Sequence, residues 1–355
     1  MLRIYDTRAR QVEEIAPARG LRMYACAPPV HRRAHLGDLR QALLSDLIRR
    51  VLERHRVRMV VCLGADDPGH PERAAGGFAD DAAALNLRPP ERSARAADHA
   101  DQVIGLISRL IEQGHARTAD GRVLFDAAAS PSYGELSGKT DLETTWELWR
   151  PVDGEPAWDS PWGRGLPGPH AACSAMSLRL LGERIDILTG EAELIRPHHE
   201  AVRVQSDAVT GHEVVRHWVH GERLLVEGGE PPELAAVTGA GIDPLAVRLA
   251  FLERHYRTPL DLTWDDLRAA DETVRRWRGR VAEWSESPSA PMAVAHVRRA
   301  EAALDDDLDT ATALRVLAEL EADDSVPPGA KFESFLHLDH VLAVDLSADI
   351  GKPRP

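Results

Sequence analysis

Cys26, Cys173 and His198 carry metal-binding chemistry and stand far apart in a chain of 355 residues. Thiolate and imidazole are donors that zinc takes readily. No CxxC or HExxH pair joins them, so spacing leaves two readings open: three unrelated buried side chains, or a zinc site assembled by the fold. A second element is the string His35-Leu36-Gly37-Asp38. It lies between a predicted strand and its helix. Glycine lets backbone approach a ligand and a helix N-terminus favours anions, so His35 and Gly37 could contact a phosphate. Asp38 sits where a carboxylate can cap exposed N–H groups. Short H-x-G strings are common, and this one by itself decides nothing.

The elements that must position these residues read as alternating strand and helix. LRMYAC (21–26) is a predicted strand that ends on Cys26. Two prolines in the following loop forbid regular structure. From Leu39 the apolar positions Leu39, Leu43, Leu47 and Val51 recur every four residues, which predicts an amphipathic helix. VRMVVCL (57–63) reads as a buried strand, with Cys62 in the core. Strand, crossover helix and strand make a βαβ unit, hence a parallel sheet. Open sheets gather ligands at their C-terminal edge, where Cys26 falls.

Residues 66–77 are a Pro/Gly loop and 101–113 a further helix. Residues 121–165 are richer in Gly, Pro, Ser and Trp, with strand-like RVLFDA and ELWRPV, and look like an inserted subdomain. Helix and strand alternate again over 173–226, carrying Cys173, His198, His199 and His220. After Pro244 the pattern is helical, with Asp309 or Thr310 as an N-cap.

Composition narrows the function classes. The 43 basic and 57 acidic residues give a net charge of −14, which argues against broad nonspecific nucleic-acid binding. Only Lys139, Lys331 and Lys352 are lysines. Three cysteines at wide spacing are no disulfide framework. No apolar run approaches the roughly 18–20 residues of a membrane span. The N-terminus lacks the apolar core of a secretory signal. The expectation is a cytoplasmic protein without a membrane partner.

Several long strings then carry a family resemblance. MYACAPPVHRRAHLGDLR resembles the HIGH region of cysteinyl-tRNA synthetases. PAWDSPWGRGLPGPHAACSAMSLRLLG and RIDILTGEAELIRPHHE resemble that family's second-half signatures. LFDAAASPSYGELSG resembles its connecting segment, and DPLAVRLAFLERHYRTPLDLTWDDL its helical part. The strings run in order over roughly residues 2–345. In size the chain is similar to the cysteine ligases of mycothiol biosynthesis, which join cysteine to the amine of a glucosaminyl-inositol.

The resemblance implies an α/β class I synthetase fold: a Rossmann-type parallel sheet with a connective insertion, then an α-helical bundle. The expected divisions are 1–114 and 166–243 for the two halves of the catalytic domain, 115–165 for the insertion, 244–345 for the bundle and 346–355 for a flexible tail. It also implies zinc on Cys26, Cys173 and His198, selecting a substrate thiolate. His35, Gly37 and Gly190 fall at nucleotide positions, and His35, Asp38 and His170 at catalytic ones. Cys26, Asp67, His170 and His199 surround the amino acid, with His199 also able to orient His198.

The departures concentrate at the nucleotide. The second histidine of HIGH is Asp38, the glycine-rich string is degraded to TGEAE around Gly190, and the tryptophan flanking the amino acid is Pro169. The synthetases' fourth zinc ligand corresponds to Val202. The lysine loop that serves pyrophosphate corresponds to VEGGEPPELAAVTGAG (226–241), which holds no lysine and three glutamates. Loss of cationic stabilisation there typically costs several kcal/mol. Two expectations follow. One is a tRNA-independent ATP-dependent ligase, using magnesium, that joins cysteine or a similar amino acid to a small amine or carrier protein. The other is a non-adenylating relative that binds a thiol ligand or a partner, or processes an already activated acyl group.

Overall fold

The computed structural model describes residues 1–16, 19–27, 32–65, 77–130, 132–139 and 143–352. Five parallel strands form the central sheet, ordered Val215–Gly221, Ile185–Glu191, Gly20–Cys26, Arg58–Ala65 and Arg92–Arg95. The chain enters this sheet at the middle strand and builds outward on one side. It returns through Ile185–Glu191 to build the other. The order reverses between Gly20–Cys26 and Ile185–Glu191, and such a switch point opens a crevice at the strands' C-terminal ends. Cys26 and Gly190 lie at those two ends.

The first crossover helix is Leu36–Arg54. It starts three residues before the apolar repeat because His35, rather than Asp38, is its N-cap. The His35 ring accepts from the Asp38 N–H, and the Asp38 carboxylate accepts from the His35 N–H. That reciprocal pair is a capping box with histidine in the usual Ser/Thr place.

The insertion is a four-stranded antiparallel sheet of Ala116–Ala119, Arg122–Asp126, Thr145–Pro151 and Gly165–Pro167. The C-terminal part contains the helices Pro244–Leu252, Trp264–Trp284, Val294–Asp305, Thr310–Ala322 and Pro328–Leu342. Asp309 caps the fourth of these through the Thr312 N–H at 2.9 Å. One short strand, Leu260–Leu262, interrupts the helices and pairs in parallel with Leu224–Val226. Packing continues past the expected end of the bundle: Leu346 is fully buried and its N–H donates to Asp339 at 2.9 Å.

Two apolar cores sit on opposite faces of the sheet. One joins Leu39, Leu43, Leu47 and Val51 to bundle residues such as Val247, Trp277 and Phe335. The other joins Tyr24, Cys62 and Trp218 to the insertion and to the helix Pro169–Leu181. The helices are therefore not a separate domain in the packing sense; they share a core with the first crossover helix. Arg248, fully buried, reinforces that junction through Asp46 Oδ2 at 2.7 Å and the Leu342 carbonyl at 2.6 Å. No helix among the described residues is long and apolar enough to cross a membrane.

Candidate functional site

The second-half helix His198–Thr210 points its first turn at the C-terminal end of the strand carrying Cys26. One donor atom each from Cys26, His198 and His199 lie within 4.8 Å of one another. Cys26 Sγ is 3.1 Å from His199 Nε2. His199 Nδ1 is 2.8 Å from His220 Nε2, and His220 Nδ1 is 2.8 Å from Thr7 Oγ1. These contacts form one hydrogen-bonded line from the thiol to the N-terminal hairpin. If His199 and His220 each carry the proton on Nδ1, both donate toward Thr7 and His199 Nε2 presents its lone pair to Cys26. The opposite tautomers reverse every bond along the line.

His198 is oriented separately. Its Nδ1 is 2.8 Å from His170 Nδ1, so one of the two rings donates to the other. This leaves His198 Nε2 as the nitrogen able to serve a metal, in the arrangement that fixes a ligating histidine from behind. Burial drives the pKa values down: His170 and His220 to about 3, and His199 well below its ordinary value. Neighbouring rings add to the effect at His170 and His199. His170, His199 and His220 are therefore neutral near pH 7, the state in which imidazole binds a metal.

Gly190 serves this cluster. A Cβ there would fall 2.4 Å from His199 Cε1, so the glycine makes room for the ring. Glu200, next in sequence and buried, pairs with buried Arg203 at 2.8 Å and accepts the Ser137 N–H at 2.8 Å. It ties the helix to the segment after the insertion's second strand. Val202, one turn beyond His198, is buried and supplies no side-chain donor.

Cys173 does not belong to the three-donor group. It is fully buried in the core that also contains Cys62. Burial raises the Cys62 pKa to about 11, with Arg92 opposing the rise and nearby Cys173 adding a smaller push upward. Of the three residues expected to hold zinc, the fold brings Cys26 and His198 together and sets His199, rather than Cys173, beside them. A helix residue facing a sheet has its partners chosen by packing, and here packing turns His199 toward Cys26.

The start of the first crossover helix, where the sequence leads one to expect a nucleotide, is arranged differently. The Leu36 N–H, in the first turn of its helix, donates to the Pro232 carbonyl at 2.9 Å. The Asp38 N–H is taken by His35. Arg32 binds both Asp38 oxygens, at 2.5 and 3.0 Å. A Cβ on Gly37 would lie 3.7 Å from Pro231 Cγ, and Arg33 reaches Glu233 at 3.6 Å. The segment Pro231–Glu233, from the stretch without lysines, thus sits against the helix start. Burial raises the pKa of Glu191, and nearby Asp38 raises it further. Asp67 lies outside the described residues.

The profile of the tRNA synthetases class I (C) catalytic domain matches residues 69–272. The chain belongs to the class I cysteinyl-tRNA synthetase-like family. It is 37% identical to a cysteine–tRNA ligase from Methylocella silvestris, covering 99% of this chain and 86% of that protein. The Paracoccus denitrificans cysteine–tRNA ligase is 35% identical, over 90% of this chain and 79% of its own length. Equally similar, at 35% identity, 90% of this chain and 87% of the relative, is an L-cysteine:1D-myo-inositol 2-amino-2-deoxy-alpha-D-glucopyranoside ligase from Thermobifida fusca. Among solved structures, Mycobacterium tuberculosis methionyl-tRNA synthetase bound by methionyl-adenylate superposes with a TM-score of 0.62 at 15% identity, covering 92% of this chain and 90% of that one. That likeness establishes the class I fold.

The sequence did not connect two members of the cluster to it. His220 follows the strand-like HWV and there reads either as lining the pocket or as merely buried; its contact with His199 depends on pairing of the two second-half strands. Thr7 has no signal at all, because its partner is 213 residues away.

Proposed function

We propose that this family member is a tRNA-independent cysteine ligase that activates cysteine, or a similar thiol amino acid, and joins it to a small amine or a carrier protein. The observation that carries the reading is the Cys26–His198–His199 cluster at the sheet's switch point, two thirds of which sequence reasoning expected. The donor set fits zinc: one thiolate and neutral imidazoles, each imidazole held from behind by another histidine. Cys26 and His198 are the proposed ligands, with Cys173 or His199 as the third. Zinc held there would supply a thiolate-selective seat that rejects serine. His170 orients His198, and His35 and Gly37 face the nucleotide. Magnesium would accompany ATP beside Asp38, where a bare carboxylate repels phosphate. In the ligase reaction the acceptor nitrogen bonds the cysteinyl carbonyl carbon, the bond to AMP breaks, and the amine proton is lost.

A second reading is favoured by a specific contact. The Pro232 carbonyl already holds the Leu36 N–H, and the segment that bears it has no lysine. A helix start capped by the chain's own acceptors is a poor phosphate cradle. On this reading the protein keeps the thiol pocket but not adenylation, and binds a thiol ligand or accepts an activated acyl group.

Amino-acid-dependent ATP–pyrophosphate exchange on zinc-loaded protein separates the two. Exchange with cysteine is the expected result for the ligase. Its absence with every amino acid, in folded and metal-loaded protein, selects the second reading. Zinc content in Cys173→Ala and His199→Ala variants identifies the third ligand.

A further inference from the structure

A second cluster with ligand chemistry lies on the far edge of the sheet. Asp6 ends the first strand of an N-terminal hairpin, Arg3–Asp6 paired with Gln11–Glu14, and Glu13 lies on its second strand. His217 lies on the edge strand Val215–Gly221, against which the hairpin packs through the Thr7 N–H to Trp218 carbonyl bond at 2.8 Å. His217 Nδ1 is 3.8 Å from Asp6 Oδ2 and 3.5 Å from Glu13 Oε2, and the three donor atoms all fall within 4.8 Å of one another.

Burial makes this more than an acidic group on a surface. Asp6 is 1% exposed and His217 is 2% exposed. Neither ring nitrogen of His217 has a hydrogen-bond partner among the described residues. A buried imidazole without partners is costly, and such groups call for an explanation. Asp6 is fixed in place, accepting the Ala9 N–H at 2.6 Å and the Trp218 N–H at 2.8 Å. Glu13 is partly exposed, so the cluster opens to solvent on one side.

We propose that Asp6, Glu13 and His217 bind a divalent first-row transition-metal cation. Metal–ligand bonds of about 2.1 Å in a tetrahedral site place neighbouring donors about 3.4 Å apart, close to the spacings found. Two carboxylates and one imidazole suit manganese, iron(II), cobalt or zinc, and the absence of thiolate makes the site harder in character than the one at Cys26. The cation would fasten the hairpin to the sheet edge. The same hairpin carries Thr7, whose hydroxyl meets His220, so the site braces the far end of the line that begins at Cys26.

The test is Mn²⁺ titration followed by electron paramagnetic resonance, on the full chain carrying Cys26→Ser so that the thiol cluster does not compete. One saturable site is expected, weakened at least tenfold by Glu13→Gln and by His217→Asn. Glu13 is partly exposed, so its variant keeps the test valid if His217→Asn fails to fold. Absence of saturable binding, with Zn²⁺ giving the same answer, overturns the proposal. So does an unchanged affinity in Glu13→Gln. In either case Asp6, Glu13 and His217 are a packing contact between the hairpin and the sheet edge, not a metal site.

Discussion

The two ends of the crevice at the sheet's switch point are built in opposite ways. At the thiol end, Cys26, His198 and His199 converge, and other histidines hold two of them from behind. At the phosphate end, the helix start is satisfied by the chain itself, through His35, Asp38 and Pro232. Donors that a ligand could use are assembled at one end and consumed at the other. A shared ancestry preserves a fold over the whole crevice, but each end keeps its chemistry only if its own side chains still point outward to a ligand.

The bracing differs as well, and three measurements test that contrast. The thiol end rests on the buried Glu200–Arg203 pair, whereas the segment Pro231–Glu233 is joined to the first helix's start through the exposed Arg33–Glu233 pair. Removing one partner of a buried pair strands the other, so Glu200→Ala should cost about 3 kcal/mol of unfolding free energy in urea. A loss no larger than that of a surface substitution would break the comparison.

The next effect is on the pH dependence of stability. Buried His220 titrates at about 3 in the folded protein and near its ordinary 6.5 when unfolded. Below 6.5 the unfolded chain binds a proton that the folded chain refuses. Stability conferred by neutral His220 is therefore complete above 6.5 and is lost as pH falls toward 3, by up to about 1.4 kcal/mol per pH unit. His170 shifts in the same direction. Melting temperatures of metal-free protein should fall across this window, and His220→Phe should flatten the slope. An unchanged slope in that variant would show that the acid sensitivity comes from elsewhere.

The smallest effect belongs to the phosphate end. Glu233→Ala removes only a solvent-screened pair and should change stability by less than about 1 kcal/mol. MgATP affinity by calorimetry should be unaltered, since the Pro232 carbonyl still holds Leu36. A gain in affinity would show that Glu233, rather than the backbone, guards the helix start.

The class I fold was legible in the amino-acid string because it rests on local regularities. The four-residue apolar repeat from Leu39 specifies a helix, and VRMVVCL beside it specifies a buried strand. Family strings such as PHHE and CSAM fixed the order of the halves. The same strings singled out Cys26 and His198 as candidates. Short-range patterns also placed a cap at Asp309 or Thr310, of which Asp309 is the one, yet missed that His35 caps the first helix, because histidine is an uncommon cap and the carboxylate three residues on looked sufficient.

Tertiary structure alone decided the rest. Whether Cys173 or His199 faces Cys26 depends on how two helices turn against a sheet, and neighbouring positions on a helix differ by about 100°. The Thr7–His220 contact spans 213 residues, and the Asp6–His217 approach spans nearly as many. Pro232 reaches Leu36 only because the second half of the sheet returns beside the first. Periodicity records which face of an element is apolar; it does not record which distant side chain that face meets.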